Sequence, residues 1–253
     1  MNYKMILIEG LPGTGKTTLS EKIFELFAGQ NLQVELLLEG NEKIPCNFYN
    51  IAAIPKSDFV DFGNDIAIIT ETENYVFVDL GCCGKEVANQ LQRYDIGDEF
   101  NPFFSAHDYA RCTLEWWQNW VNINIKESVL ILDSAFMQCP INEMIFRKAS
   151  NSEVKAYIQA IAEIIKPYNP FCIYLSRENA GIAIDFAKTV KGEHWAKGIE
   201  GLAETSFPDL FERRFDLENI LLSSVSNIVC DINGCDWSDA ETKIQELFQN
   251  KAS

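Results

Sequence analysis

The chain has 253 residues, 47% of them hydrophobic and 23% charged, and carries a formal net charge of −16. That composition is globular, and the length suits one α/β domain with an insertion better than two separate cores. The acidic balance argues against nucleic acid and anionic membrane surfaces, whose phosphates need a basic face, and no run of about 18 apolar residues offers a membrane span.

Residues 4–9 form a short apolar strand. A signal peptide is the poorer reading, because the run is brief and Glu9 and a glycine-rich loop follow at once. From Lys16 to about Ala28, Leu19, Ile23, Phe24, Leu26 and Phe27 recur at helical spacing until Gly29 and Asn31. Gln33 to Leu38 is a second strand, running into Glu39-Gly40-Asn41. Residues 41–65 read as irregular, with Pro45 and Pro55. Ile66–Thr70 and Tyr75–Leu80 then flank Glu71-Thr72-Glu73-Asn74 as a β-hairpin, so about 41–105 forms an insertion on the substrate side of the sheet.

Residues 84–94 are weakly helical, and His107 to Val121 is a strong helix whose Trp116, Trp117 and Trp120 belong to the core. Ser128 to Asp133 is a buried strand ending in an acid. Glu153–Lys166 is helical, Phe171–Leu175 a strand, Glu178–Val190 helical, and Phe207 to about Ser223 a helix bearing Arg213 and Arg214. Asn227–Ile232 is a last strand and Ser238–Phe248 a last helix, capped by Asp236 or Ser238. Strands without polar alternation, separated by helices, imply a five-stranded parallel sheet flanked by helices on both faces. Ligands of such sheets sit at the carboxyl ends of the strands, which gathers Gly10, Glu39, Asp133, Ser176 and Asp231 at one edge.

The segment Gly10-Leu11-Pro12-Gly13-Thr14-Gly15-Lys16-Thr17 fits Gly-x-x-x-x-Gly-Lys-Thr between a strand and a helix. It predicts the phosphate cradle of a nucleoside triphosphate, formed by Gly10, Pro12, Gly13, Thr14, Gly15, Lys16, Thr17 and Thr18. Lys16 is expected to reach the β- and γ-phosphates, and Thr17 with Asp133 to hold magnesium. Glu39 is a candidate to position the acceptor and take its proton. Glu9, directly before the loop, would repel phosphate unless offset, or else orients loop residues. The basic stretch from Lys188 to Lys197, followed by Arg213 and Arg214, reads as a lid over about 186–215 whose cations close on the transferring group. Arg147 and His107 are further candidates to face the crevice. The eight cysteines include no Cys-x-x-Cys pair and read as buried thiols in a reducing, cytoplasmic compartment.

With these residues in place, the chain resembles P-loop kinases of the nucleoside and nucleotide kinase-like group. Ile8-Glu9-Gly10 and Gly15-Lys16-Thr17-Thr18 are similar to the start of thymidylate and deoxynucleoside kinases, and Phe171-Cys172-Ile173-Tyr174-Leu175 resembles their strand before the lid. Leu38-Glu39-Gly40-Asn41 and the segment from Asp133 to Glu143 are similar to a group of uncharacterised bacterial P-loop proteins. The resemblance implies a P-loop NTPase three-layer sandwich in one domain over 1–253, with the hairpin insertion and a helical lid. The sequence lacks an Asn-Lys-x-Asp guanine motif, which favours ATP. The expected function is ATP- and magnesium-dependent phosphoryl transfer to a hydroxyl or phosphate of a small molecule, Lys16, Asp133, Glu39, Arg213 and Arg214 being the catalytic set. The alternative is a nucleotide switch or ATPase acting through a protein partner, and a homodimer is compatible with either.

Overall fold

The computed structural model describes residues 3–99, 101, 103–125, 128–177, 179–232 and 238–249. In chain order the strands are β1 (Met5–Gly10), β2 (Val34–Leu37), β3 (Ile51–Pro55), β4 (Ile68–Glu71), β5 (Tyr75–Asp79), β6 (Val129–Asp133), β7 (Pro170–Ser176) and β8 (Ser226–Asp231). The helices are α1 (Lys16–Gly29), α2 (Lys85–Leu91), α3 (Ala106–Asn124), α4 (Gln138–Phe146), α5 (Asn151–Ile165), α6 (Ala180–Lys191), α7 (Glu193–Ala203), α8 (Phe207–Leu221) and α9 (Ser238–Gln249).

Five strands make a parallel sheet in the order β2-β6-β1-β7-β8. Strands β1 and β6 are buried along their whole length, as their unbroken apolar sequences require. Because strand side chains alternate, β1 feeds two cores. Ile6 and Ile8 pack with Leu19, Ile23 and Phe27 of α1 and with Ala240 and Ile244 of α9. Met5 and Leu7 join the larger core on the other face, built from α3, α4, α5, α6 and α8. The fold is thus α/β, a parallel sheet between two helical layers, as the alternating pattern implies. Among the described residues no helix is long and apolar enough to cross a membrane.

The predicted hairpin is present as β4 and β5, but residues 41–65 are not wholly irregular. Strand β3 completes a second, antiparallel sheet of order β3-β5-β4. Its sequence, Ile51-Ala52-Ala53-Ile54-Pro55, hides it, since alanine favours strands weakly. Proline is admitted at its last residue because β3 is an edge strand. The insertion is fixed to α3 by Glu115, whose carboxylate accepts from the Thr72 hydroxyl (2.6 Å), the Asn74 amide (2.7 Å) and the Asn74 backbone N–H (3.0 Å).

Two helices exceed the sequence expectation. Helix α4 carries Pro140 in its first turn, where a missing N–H costs nothing. Helix α7 contains Gly198 and Gly201, which weaken intrinsic helicity. Packing supplies what propensity lacks, because the Trp195 ring meets Phe207 and Phe211 edge-on. Glu178, placed at the start of a predicted helix, and Asp236, a predicted cap, lie outside the described residues, as does Cys235. Helix α6 is instead capped by Asn179, whose side chain accepts from the Ile182 N–H.

Candidate functional site

The glycine-rich loop links the end of β1 to α1. Gly10 adopts φ 141°, and a Cβ there would lie 2.4 Å from the Leu175 carbonyl oxygen, so only glycine lets β1 leave the sheet beside β7. The tip is covered from above. A Cβ on Gly13 would come within 3.0 Å of the Phe186 ring and 3.3 Å of the Ala187 backbone, so α6 rests directly on the loop. Gly15 occupies the N-cap of α1 in a left-handed conformation, and no side chain caps that helix. Its first N–H groups therefore have no side-chain acceptor.

Lys16 is buried and folded back over its own loop, donating to the Gly10 (2.9 Å) and Leu11 (3.1 Å) carbonyls. The Thr14 hydroxyl donates to the same Leu11 oxygen at 2.8 Å. Burial pulls the Lys16 ammonium below its ordinary value, and the carboxylates of Asp133 and Glu39 pull it back up. The next residue makes the long-range contact: Thr17 Oγ1 donates to Asp133 Oδ2 at 2.7 Å. Asp133 Oδ1 accepts from the Ser134 hydroxyl at 2.8 Å. Ser134 holds φ 65°, a conformation rare outside glycine, and its N–H donates to Ile8. The bonds to Ile8 and Asp133 are what hold the Ser134 backbone in that conformation.

Glu9 orients a different segment from the glycine-rich loop expected of it. Its buried carboxylate accepts the backbone N–H of Phe136 (2.7 Å) and of Gln138 (3.1 Å), which fixes the turn between β6 and α4. Burial pushes the Glu9 carboxyl up to about 7, helped by the charge of Glu218 and opposed by those N–H donors. Gln138 continues outward: its Nε2 donates to Glu39 Oε1 at 2.8 Å, so Glu39 is held at the end of β2. A cavity of about 290 Å³ opens between Glu39, the segment 44–49, Gly97, Asp133 and Ser134, and Cys139 and Glu143 of α4. The sequence gathers Gly10, Glu39, Asp133, Ser176 and Asp231 at one edge. The parallel register ends β1, β6, β7 and β8 there, with Ser176 beside Asp231, and Thr17 and Lys16 reach Asp133 from the start of α1. Cys46 and Cys139 share the cavity wall, the Cys139 thiol donating to the Cys46 carbonyl at 3.9 Å, and the neighbouring Cys139 thiol together with burial holds the Cys46 thiol well above its ordinary range.

Arg213 and Arg214 are not poised over the loop as lid cations. Both belong to α8, which packs into the larger core. The Arg214 guanidinium is buried and donates to Glu218 Oε1 at 2.6 Å, one turn along, while the Tyr174 hydroxyl donates to Glu218 Oε2 at 2.8 Å. Arg213 faces the α4–α5 junction, donating to the Ala149 carbonyl (2.6 Å) and Asn151 Oδ1 (2.8 Å). The lid lysines lie on aromatic faces, Lys188 5.5 Å from the Phe207 ring and Lys191 5.1 Å from Trp195. Arg147 also turns away from the cavity, bound to Glu143 and to the Ile96 carbonyl. His107 is exposed beside α5, lining a separate groove with Arg111 and Glu153.

The cation that sequence reasoning missed is Arg177. It directly follows β7, is buried, and stacks 4.6 Å from the centre of the Phe186 ring that touches Gly13. Its Nε has no hydrogen-bond partner among the described residues. A cation immediately after an apolar strand was the available signal. Gln138 left none, because only the fold shows that it reaches Glu39. No protein-family model matches this chain, and no curated protein matches it either.

Proposed function

We propose that the chain is a magnesium-dependent P-loop phosphotransferase that moves the terminal phosphoryl group of ATP to a small-molecule hydroxyl. The observation that carries this reading is the Thr17–Asp133 contact beneath a Gly-x-x-x-x-Gly-Lys-Thr turn whose helix has no side-chain cap. A hydroxyl and a carboxylate together form an all-oxygen donor set of the kind magnesium takes alongside nucleotide phosphates. Thr17 and Asp133 would hold the ion, whose chemistry there is to neutralise phosphate charge.

Lys16 exchanges the Gly10 and Leu11 carbonyls for phosphate oxygens and carries positive charge to the transferring group. The free N–H groups at the start of α1 bind the same anion. Arg177 supplies the cation on the α6 side of the loop. Glu39 orients the acceptor hydroxyl and takes its proton as the new oxygen–phosphorus bond forms. The bridging bond to the nucleoside diphosphate breaks with its electron pair leaving on that product. Arg213 and Arg214 have no part in transfer.

Titration calorimetry with Mg-ATP, followed by nucleotide turnover with nucleosides, sugars, amino sugars and phosphomonoesters, tests the reading. Saturable binding, lost in Lys16→Met, and an acceptor that raises turnover above the rate in water are the expected results. Binding without any such acceptor would favour the partner-dependent switch, and absence of binding would remove the nucleotide site.

A further inference from the structure

Two cysteines meet on the wall of the cavity beside Asp133. Cys46 is buried, Cys139 in the first turn of α4 is half-buried, and both line that cavity. The Cys139 thiol lies 3.9 Å from the Cys46 carbonyl oxygen, although 93 residues separate the two in the chain. Each is held there by its own anchors. On the Cys46 side, the Ile51 N–H donates to the Phe48 carbonyl at 3.0 Å, and Asn47 Nδ2 donates to the Gly40 carbonyl at 3.3 Å. The Phe48 ring packs edge-on against Tyr109 and Trp116. A Cβ on Gly97 would lie 2.2 Å from the Phe48 oxygen, so the backbone at Gly97 presses directly on the same segment. On the Cys139 side, Glu9 accepts the N–H groups of Phe136 and Gln138, and Glu39 accepts the Gln138 side chain. Two independently fixed segments thus present their thiols to one another beside an open cavity. Cys112 and Cys172, by contrast, are wholly buried in the core.

We propose that Cys46 and Cys139 form a reversible oxidation site, at which a peroxide joins them in a disulfide that ties segment 44–49 to α4 along the cavity wall. Access sets the order of events. Cys139 is the thiol that solvent reaches, so its sulfur attacks the peroxide first. A sulfur–oxygen bond forms, the oxygen–oxygen bond breaks, and the departing hydroxide takes the thiol proton as water, which leaves Cys139 as a sulfenic acid. The neighbouring Cys139 thiol and burial hold the Cys46 thiol well above its ordinary range, and the first step removes that neighbouring thiol. The Cys46 sulfur then attacks the Cys139 sulfur. The sulfur–sulfur bond forms, the sulfur–oxygen bond breaks, and hydroxide leaves with the Cys46 proton as a second water. Together the thiols lose two electrons and two protons, and one peroxide becomes two waters. A dithiol reductant reverses the bond. Covalent closure draws the two sides of the wall together from non-bonded contact, and so reshapes the cavity. The site needs no nucleotide and stands apart from the phosphotransfer reading.

The test treats the folded full-length chain with hydrogen peroxide, alkylates the remaining thiols with iodoacetamide in denaturant, and maps disulfides by proteolysis and mass spectrometry. The expected product links Cys46 to Cys139 and is lighter by two hydrogens, and dithiothreitol restores both thiols. This link should form about tenfold faster than any other pairing in the same sample, because its two thiols are already oriented. In Cys46→Ala the first step survives without the second, so dimedone should trap Cys139 about tenfold more than in the wild type. The oxidised wild type should unfold at higher urea than the reduced protein, since a link that fits the native geometry constrains only the unfolded chain. Pairing among other cysteines while Cys46 and Cys139 stay alkylated, conversion of Cys139 to higher oxides without the link, or a link that lowers the urea midpoint overturns the inference. The wild-type disulfide map decides even where Cys46→Ala does not fold.

Discussion

Thr17 and Asp133 stand 116 residues apart in the chain, yet the threonine hydroxyl lies 2.7 Å from the aspartate Oδ2. Parallel pairing of β1 with β6 makes this contact, because Ile8 is in register with Asp133. Asp133→Asn keeps the shape and removes the charge. The advantage that magnesium gives to ATP binding should then fall by about 10²-fold, the scale of losing one preorganised charge at such a site. Calorimetric titrations of ATP with and without magnesium, on wild type and variant, measure it. An unchanged magnesium effect would remove Asp133 from the metal set.

Stability should depend on pH through Glu9. Its folded value of about 7 lies above the ordinary 4.5, so the folded state holds a proton that the unfolded state releases. Its contribution is therefore fully present below pH 4.5 and is lost as pH rises through 7. The difference is on the order of 3 kcal/mol at 1.36 kcal/mol per pH unit. Urea unfolding at intervals across that window should show wild type losing stability relative to Glu9→Gln. Parallel curves for the two proteins would show that Glu9 does not titrate there.

Arg177→Gln should weaken Mg-ATP binding by about tenfold, the worth of a partly desolvated cation beside phosphate. Arg177→Lys should not restore it, since stacking on Phe186 uses the planar guanidinium. Calorimetry on the three proteins decides. Wild-type affinity in Arg177→Gln would make this residue a packing element only.

Arg214→Ala strips the cation from a buried carboxylate and should cost about 3–5 kcal/mol of stability. Arg213→Ala loses two hydrogen bonds at a half-buried position and should cost about 1–3 kcal/mol. Both should keep kcat within severalfold where they are folded. A loss of about 10²-fold or more in kcat for Arg213→Ala, without loss of stability, would restore it as a transfer cation.

The strand ends and the glycine-rich loop were legible because they depend on local pattern: an apolar run, then a turn, then helical spacing. Residues β3, α4 and α7 contribute were harder to place because tertiary contacts decide them. Glu9 fixes the turn before α4, and Trp195 packing outweighs two glycines in α7. The basic segment misled for a related reason. Charge alone suggested a lid, whereas Arg214 and Glu218, one helical turn apart, neutralise one another in the core. That i, i+4 spacing was visible in the sequence, but the burial that makes it decisive was not.

Gln138 is gripped at both ends, its backbone N–H by Glu9 and its side chain by Glu39. Glu9 is the last residue before the glycine-rich loop, so a single glutamine acts as a gauge block between the two halves of the crevice. On the phosphotransfer proposal, the separation of donor and acceptor is set by that block rather than by direct touch. Variation at Tyr49 or Asn47 can therefore reshape what enters the cavity while the working gap stays constant. A change at Gln138 would alter the gap for every ligand at once.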